Sequence, residues 1–207
     1  AGDNDRVRLW KDKSANNIDL EVFDPSVDGG DGANNNRPTY KLGSTNSSNF
    51  NGNNFVSFTG TQTLLADLAY GNSDATIFMV VTPTGAANST QNRGIVSFND
   101  TDANNSIAVY RRQGQDEFAI YNKNGSGNNS NTKFRAYEPD VLQLFSFTFN
   151  KKGGNDEWFS YADGSQVVDQ PGGEVDGTQF PKIMLNLNFD QERPIEVDIA
   201  EILFYDR

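Results

Sequence analysis

Short apolar runs separated by turn-forming dipeptides are the feature that most constrains the fold of this chain. The runs lie at residues 6–10, 18–23, 54–58, 76–81, 94–98, 106–112, 117–121, 142–150, 157–161, 183–189 and 195–205. Between them stand Asn51-Gly52, Asn124-Gly125, Asp163-Gly164 and Asp176-Gly177, dipeptides that favour positive φ angles and tight reversals. Only residues 63–70 carry a short i, i+4 apolar pattern, which predicts a turn or two of helix. Short strands with almost no helix between them predict antiparallel pairing in two packed sheets.

The length and even composition of the chain indicate one domain over residues 1–207. A chain of 207 residues is long enough to bury a substantial core, and no shift in composition marks a boundary. Residues 24–37 and 122–132 have almost no apolar content, so we predict long surface loops there. We therefore expect a single all-β domain, an antiparallel two-sheet β-sandwich of the jelly-roll type, with its first and last strands adjacent.

The charge balance and the missing residue types exclude several classes of function. A net charge of −11 argues against a nucleic-acid partner, because binding to phosphates needs clustered Lys and Arg. No apolar run reaches the ~18 residues that a spanning helix needs, so we expect no membrane insertion. The chain has no Cys and no His, which removes disulfides, thiolate and imidazole metal sites and His-based triads. The ionisable groups left for catalysis are carboxylates, Lys and Tyr.

Alternation along the predicted strands separates inward-facing from outward-facing side chains. In one strand Ile107 and Val109 face the core, which leaves Tyr110 and Arg112 facing outward. The outward set consists of types that stack on sugar rings or hydrogen-bond hydroxyl groups, and it contains Tyr110, Arg112, Tyr121, Trp158, Asn186 and Asn188. We predict that these residues form a ligand surface. The alternative is that loops cover this face and the aromatic residues only pack.

Two acidic loops offer the hard oxygen ligands that calcium prefers. Asp24, Asp28 and Asp31 lie in a Gly-rich stretch, and Asp100 and Asp102 lie in the stretch FNDTDANN. Neither loop has the EF-hand spacing, because no Glu closes a loop of about twelve residues. We predict Ca²⁺ at these residues as a structural or ligand-bridging ion. The alternative is that the Asp side chains serve only to form turns.

Motifs along nearly the whole chain resemble those of one family. They are WKDKSANN at Trp10–Asn17, NRPTY at Asn36–Tyr40, FNGNNFVSFTGTQTL at Phe50–Leu64, TIFMVVTP at Thr76–Pro83, FTFNKKGGNDEWFSYADGSQV at Phe147–Val167 and DIAEILFYDR at Asp198–Arg207. In this order the chain resembles the concanavalin A-like, laminin-G-type jelly-roll domains of large bacterial surface and secreted proteins. The resemblance implies an extracellular or cell-surface location and a domain taken from a longer, multidomain protein. Related jelly rolls often carry calcium, which adds to the reasons for expecting that ion.

The last stretch of the chain holds three acids at a spacing that catalysis can use, namely Glu196, Asp198 and Glu201. The pattern E-x-D-x-x-E resembles the catalytic strand of laminarinase-type glycosidases, where a nucleophile and a proton donor lie about 5 Å apart in the retaining reaction. Alternation places Glu196 and Asp198 on one face of the strand and Glu201 on the other, unless a β-bulge intervenes. The laminin-G-type resemblance accounts for DIAE as a closing strand. We therefore expect this strand to be structural.

These observations predict a non-catalytic, extracellular carbohydrate-binding or adhesion module. Its expected partner is a neutral or cationic glycan or a cell-surface polysaccharide, bound by stacking and hydrogen bonds. Two alternatives remain besides a purely structural spacer. One is a glycoside hydrolase that uses Glu196, Asp198 and Glu201, and the other is a protein- or peptide-binding adhesin domain.

Overall fold

The computed structural model describes residues 2–11, 18–22, 37–46, 50–59, 62–67, 75–85, 92–99, 106–123, 129–150, 157–171, 182–186 and 195–206. Its strands are β1 (Leu9–Trp10), β2 (Leu20–Val22), β3 (Thr39–Lys41), β4 (Phe55–Phe58), β5 (Leu64–Asp67), β6 (Ala75–Pro83), β7 (Arg93–Asn99), β8 (Ser106–Arg111), β9 (Glu117–Lys123), β10 (Asn129–Ala136), β11 (Gln143–Asn150), β12 (Glu157–Ala162), β13 (Ser165–Pro171), β14 (Lys182–Leu185) and β15 (Val197–Asp206). One short helix, α1 (Gly43–Asn46), lies between β3 and β4.

The strands form two antiparallel sheets. Sheet A has seven strands in the order β13-β12-β11-β6-β15-β4-β3, and sheet B has eight in the order β1-β2-β5-β14-β7-β8-β9-β10. The predicted all-β, two-sheet sandwich is confirmed. The longest strand, β15, lies inside sheet A between β6 and β4. It therefore forms the framework to which the neighbouring strands of sheet A are attached.

The hydrophobic core lies between the two sheets. Sheet A contributes Phe58, Met79, Phe145 and Ile199, and sheet B contributes Leu64, Ile95, Phe118 and Leu185, all of them fully buried. In most strands the core residues recur at every second position, as a pleated strand with one face toward a core requires, while in β7 a β-bulge places the adjacent Ile95 and Val96 both in the core. The burial of Phe145 and Phe147 on β11 and of Ile183 and Leu185 on β14 follows this alternation.

Local sequence signals were wrong at three places. The pattern that predicted a helix over residues 63–70 instead includes strand β5, because β5 pairs with β2 and β14 and buries Leu64 and Ala66. The predicted loop 122–132 overlaps β10, which pairs with β9 despite its polar sequence. The first and last strands are not adjacent, since β1 pairs with β2 in sheet B and β15 lies inside sheet A.

Among the described residues, no helix has the length and apolar character needed to cross a membrane.

Candidate functional site

Solvent reaches the outer face of sheet A but not the outer positions at the centre of sheet B. On β14, β7, β8 and β9, five of the side chains that alternate with core positions are at most 2% exposed, namely Ser97, Ala108, Tyr110, Ala119 and Met184, whereas Glu21 on the more peripheral β2 is exposed. On sheet A the corresponding positions carry large apolar side chains that are 37–51% exposed, namely Phe78, Leu144, Leu203 and Tyr205. Neighbouring exposed apolar side chains of this kind mark interaction sites more often than isolated ones do. Sheet A therefore offers the candidate binding surface.

Strand register places the exposed residues of sheet A side by side. One row runs across β12, β11, β6 and β15 through Tyr161, Ser146, Phe78 and Leu203. The next row contains Phe159, Thr148 and Tyr205, with the buried Thr76 between the last two, and a third contains Leu144, Val80 and Glu201. We call the surface formed by Phe78, Val80, Leu144, Ser146, Thr148, Phe159, Tyr161, Glu201, Leu203 and Tyr205 the aromatic face. It combines ring surfaces with hydroxyl groups on the rigid centre of a sheet.

Two contacts fix the geometry of the aromatic face. The rings of Phe78 and Tyr205 meet edge to face, with centroids 6.0 Å apart. In the same row as Tyr205, Thr76 Oγ1 lies 3.4 Å from Thr148 Oγ1. Flat ring surfaces flanked by hydroxyl groups suit pyranose rings, because each sugar has apolar C–H faces and a polar rim.

A β-bulge in β15 changes the expected orientation of Glu201. The register of β15 against β6 pairs Ile199 with Val81 and Glu201 with Val80, so one extra residue, Ala200, lies between them. The bulge that the sequence left open does intervene, so Glu201 shares its face with Asp198 instead of lying on the opposite face. Glu196 is also exposed, and it alternates with the buried Ile195 and Val197. All three acids therefore lie on the outer side of β15.

The acids are nevertheless spread along the strand. Asp198 is paired with Thr82 and Glu201 with Val80, while the carbonyl of Glu196 accepts a hydrogen bond from the amide of Thr84. Val80 and Thr82 on β6 and Thr84 just after it are two residues apart, so successive acids are separated by about 7 Å of backbone. In the described part of the chain, no three Asp or Glu side chains gather closely enough to hold a metal ion.

Asp198 differs from the other two acids because its carboxyl group is partly buried. It is paired with Ser57 on β4 and with Thr82 on β6. Burial raises the pKa of Asp198, the nearby negative charge of Asp140 also raises it, and a hydrogen bond from Ser57 and the charge of Lys41 lower it. Asp198 Oδ1 and Thr82 Oγ1 are both buried without a hydrogen-bond partner among the described residues. The ionised form of Asp198 therefore lowers the stability of the folded chain.

One end of the sandwich is closed by a buried Tyr and Arg pair. Tyr137 donates a hydrogen bond of 2.5 Å to the carbonyl of Gly85, and the Arg111 guanidinium lies 4.1 Å from the centre of its ring. Arg111 is 2% exposed and also forms an ion pair with Asp116 at 3.2 Å. Burial raises the pKa of Tyr137, although the positive charge of Arg111 lowers it. These contacts join β8 to the segments that follow β6 and β10, and they leave little of Arg111 for a ligand.

Three of the predicted ligand residues lie together on sheet B, and one of them is buried. Tyr110 is 1% exposed, and its ring meets that of the half-buried Tyr121 edge to face at 6.3 Å. The prediction that Tyr110 presents an open surface is wrong, because the outer face of β8 is covered. Arg112 is partly exposed, and its Nη1 forms a 3.0 Å ion pair with Glu117 Oε1. Tyr121 and Arg112 stay candidate ligand residues. On the described part of sheet B, however, no exposed aromatic side chain lies beside them.

Asn186 is a structural residue rather than an exposed one. Its side chain is fully buried, its Nδ2 donates to the carbonyl of Gln62 at 2.7 Å, and its Oδ1 accepts from the amide of Ile195 at 2.8 Å. Its backbone has a φ of 61°, a conformation that Asn tolerates better than most residues. The prediction that Asn186 faces a ligand is therefore wrong. It joins the end of β14 to the loop before β5 and to the start of β15.

The remaining predicted site residues lie wholly or partly outside the described residues. The backbone of Trp158 pairs with Phe149 in sheet A, but its side chain is outside the described part. On the same strand Ser160 is fully buried opposite Phe147, so the outward-facing aromatic residues of β12 are Phe159 and Tyr161. Six predicted site residues lie wholly outside the described ranges, namely Asn188 and the five calcium candidates Asp24, Asp28, Asp31, Asp100 and Asp102. Calcium stays a prediction.

The sequence contained a signal for the aromatic face that the alternation rule alone did not reveal. In the run TIFMVVTP both faces of the strand carry apolar residues, which is typical of a strand buried on both sides. Phe78 is on the second face and is exposed. Leu203 and Tyr205 belong to the closing strand, which the sequence predicted to be purely structural. The bulge turns both side chains outward, where they are exposed.

Among the known proteins compared with this chain, similar ones are found only among solved structures. No protein-family model matches the chain, and no curated protein matches it at a significant level. The binding domain of botulinum neurotoxin serotype D has a TM-score of 0.63 and 13% identity, over 95% of this chain and 45% of that chain. The receptor-binding domain of botulinum neurotoxin type G has a TM-score of 0.56 and 12% identity, over 97% of this chain and 47% of that chain. This chain thus spans about half the length of those toxin domains.

Smaller solved domains match over a larger share of their own length. The heptameric SAP-like pentraxin from Limulus polyphemus has a TM-score of 0.52 and 12% identity, over 72% of this chain and 73% of that chain. The CBM40 domain of the Ruminococcus gnavus IT-sialidase, solved with α2,3-sialyllactose, has a TM-score of 0.50 and 13% identity, over 65% of this chain and 77% of that chain. At these identities the likeness establishes the β-sandwich fold that the chain shares with these proteins.

Proposed function

We propose that this chain is a non-catalytic carbohydrate-binding module that holds a glycan on the aromatic face of sheet A. The observation that carries the proposal is the row of Tyr161, Ser146, Phe78 and Leu203, with the exposed ring of Tyr205 in contact with Phe78. Rings of this exposure stack on the C–H faces of sugars, and neighbouring hydroxyl groups bind sugar hydroxyls. An open sheet face gives a shallow site, so we expect weak binding of single sugars and tighter binding of oligosaccharides, which cover more rings.

The solved structures support this proposal through their fold. One of them is described by its binding to α2,3-sialyllactose and another by the interaction of the toxin with two ganglioside molecules. Both are therefore described in connection with a glycan or a glycolipid. We also propose that this module lies outside the cell, at a surface or in a secreted protein, with further domains of a parent protein beside it, as the laminin-G-type resemblance of its motifs implies.

The proposal is tested by titrating the chain with neutral oligosaccharides chosen from a glycan array, using calorimetry. We expect Phe78→Ala to weaken binding at least tenfold, because a lost stacking contact of about 1.4 kcal/mol corresponds to that factor. Val167→Ala is the matched control, since Val167 is 44% exposed on β13 and is not part of the aromatic face. An array without hits, or equal affinities for the wild type and Phe78→Ala, contradicts the proposal and favours a protein- or peptide-binding adhesin domain.

A glycoside hydrolase is the second candidate function, and the β-bulge is the observation that favours it. The bulge places Asp198 and Glu201 on one face of β15, where the exposed Glu196 precedes them. Their backbone spacing of about 7 Å per step is wider than the ~5 Å carboxyl separation of retaining enzymes, so the side chains must converge for catalysis. The test is the release of reducing sugar from β-glucans, agarose or carrageenan. If the wild type releases sugar and Glu196→Gln does not, the chain is a hydrolase and the proposal of a non-catalytic module is contradicted.

A further inference from the structure

We infer that the aromatic face selects glycans whose sugars carry a free, protonated amine, such as glucosamine oligomers, over acetylated and anionic glycans. This inference rests on the proposed function, because it concerns the ligand of the same surface. It is carried by the position of one acid, Glu201, among the exposed apolar side chains of sheet A.

Glu201 lies where a sugar stacked on the aromatic face reaches it. It is directly opposite Val80, and the next outward pair along the same strands is Leu203 and Phe78. Diagonal neighbours on one sheet face are about 7–8 Å apart at their Cα atoms, a gap that long side chains cross. Leu144 is paired with Val80 on its other side, so apolar groups flank the carboxylate. A ring lying over Phe78 can therefore place a substituent beside Glu201.

The carboxylate of Glu201 is available to a ligand. Glu201 is exposed, and the ion pairs Arg111–Asp116, Arg112–Glu117, Lys133–Glu117 and Arg135–Asp163 between described residues do not involve it. An ammonium group that donates to a carboxylate forms a charge-assisted hydrogen bond, which is about twice as strong as a neutral one. The rings of Phe78 and Tyr205 add attraction for a nearby cation.

The other charges of this side of sheet A favour the same class of ligand. Among the residues that define the aromatic face, Glu201 is the single charged one and none is basic. Asp198 is the next acid along β15. Lys41 on the edge strand β3 is near enough for its charge to act on Asp198, and its Nζ donates to Asn4 Oδ1 at 2.6 Å. The chain as a whole carries a net charge of −11, which repels anionic sugars.

The inference is tested by titrating the chain with glucosamine, N-acetylglucosamine and galacturonic acid tetramers at mildly acidic pH, where sugar amines are protonated. We expect the glucosamine tetramer to bind about tenfold more tightly than the acetylated one, the value of one charge-assisted contact. Glu201→Gln should remove this preference by weakening the binding of the glucosamine tetramer about tenfold more than that of the acetylated tetramer. Raising the salt from about 0.1 M to about 1 M should reduce the preference in the wild type, because salt screens exposed charges.

A second acid provides the matched control. Glu21 is exposed on β2 of sheet B, so Glu21→Gln changes the net charge by the same amount at a site away from the aromatic face. We expect Glu21→Gln to keep the preference for the glucosamine tetramer. If both variants lose it equally, or if the wild type binds both tetramers equally, the inference is overturned while the proposed function stands. If no tetramer and no neutral oligosaccharide binds, both fail.

Discussion

The ring of Phe78 on β6 meets the ring of Tyr205 on β15 edge to face, with centroids 6.0 Å apart and planes at 85°. Both residues are substantially exposed, at 37% and 51%. This pair predicts a measurable coupling in a double-mutant cycle. Phe78→Ala, Tyr205→Ala and the double variant should show a coupling in the free energy of unfolding of about 0.5–1.5 kcal/mol, measured by urea denaturation. Phe78→Ala combined with Val167→Ala is the control and should be additive, and a coupling of zero for Phe78 and Tyr205 contradicts the contact.

The partly buried carboxyl group of Asp198 predicts a dependence of stability on pH. Burial raises its pKa in the folded chain above the ordinary value of ~3.9. Between the unfolded and the folded pKa the native state binds more protons than the unfolded state, so the contribution of Asp198 to stability falls as the pH rises through this window. Asp198→Asn should therefore raise the free energy of unfolding at neutral pH, with a gain that disappears on acidification below the unfolded value. Urea denaturation from about pH 3 to 7 measures this, and an equal gain at every pH contradicts it.

Two buried glutamines predict opposite responses to the same substitution. Gln143 on β11 is fully buried, and neither Nε2 nor Oε1 has a hydrogen-bond partner among the described residues. Gln62 is 2% exposed, but its Oε1 accepts a 2.7 Å hydrogen bond from the amide of Thr59. Gln143→Met should be neutral or raise the free energy of unfolding by about 1 kcal/mol, because it removes two buried polar atoms without partners. Gln62→Met should lower it by about 1–3 kcal/mol, because the amide of Thr59 loses its acceptor.

The measurement for this pair is thermal and urea denaturation of the two variants beside the wild type. Methionine fills nearly the volume of glutamine, so the two substitutions differ chiefly in that Gln62→Met removes a hydrogen bond and Gln143→Met removes none. If both variants are destabilised equally, Gln143 is hydrogen-bonded in solution.

The hydrogen bonds and positive φ of Asn186 predict that it contributes to stability in two separable ways. Asn186→Ala should lower the free energy of unfolding by about 2–4 kcal/mol, since it removes two buried hydrogen bonds and places Ala in the left-handed region. Asn186→Gly removes the same hydrogen bonds and tolerates the φ angle, so it should cost about 1 kcal/mol less. Chemical denaturation measures both, and a harmless Asn186→Ala would return this residue to the candidate ligand surface.

The fold was predictable from the sequence because its signals are local and repeated. Alternating residues such as Phe145 and Phe147 bury one face of a strand, and Asp163-Gly164 forms the turn between β12 and β13. The helix predicted over residues 63–70 was wrong, because pairing with two neighbouring strands outweighs the weak local preference of Leu64–Asp67. Strand β10 was missed because its polar sequence lacks an apolar signal, although β9 supplies its hydrogen bonds.

The candidate site was less predictable, since alternation tells which residues share a face and not whether that face is covered. Tyr110 points away from the core as predicted but is buried, and Phe78 lies on a strand that reads as buried on both sides but is exposed. Exposure depends on which segments cover a sheet, and these are distant in sequence. The sequence by itself therefore determined the all-β sandwich and the acidic surface of this protein, because strand periodicity and charge are properties of neighbouring residues. Only the tertiary structure decided that sheet A is open and that the bulge at Ala200 turns Glu201, Leu203 and Tyr205 outward, because coverage and register arise from pairing between distant strands.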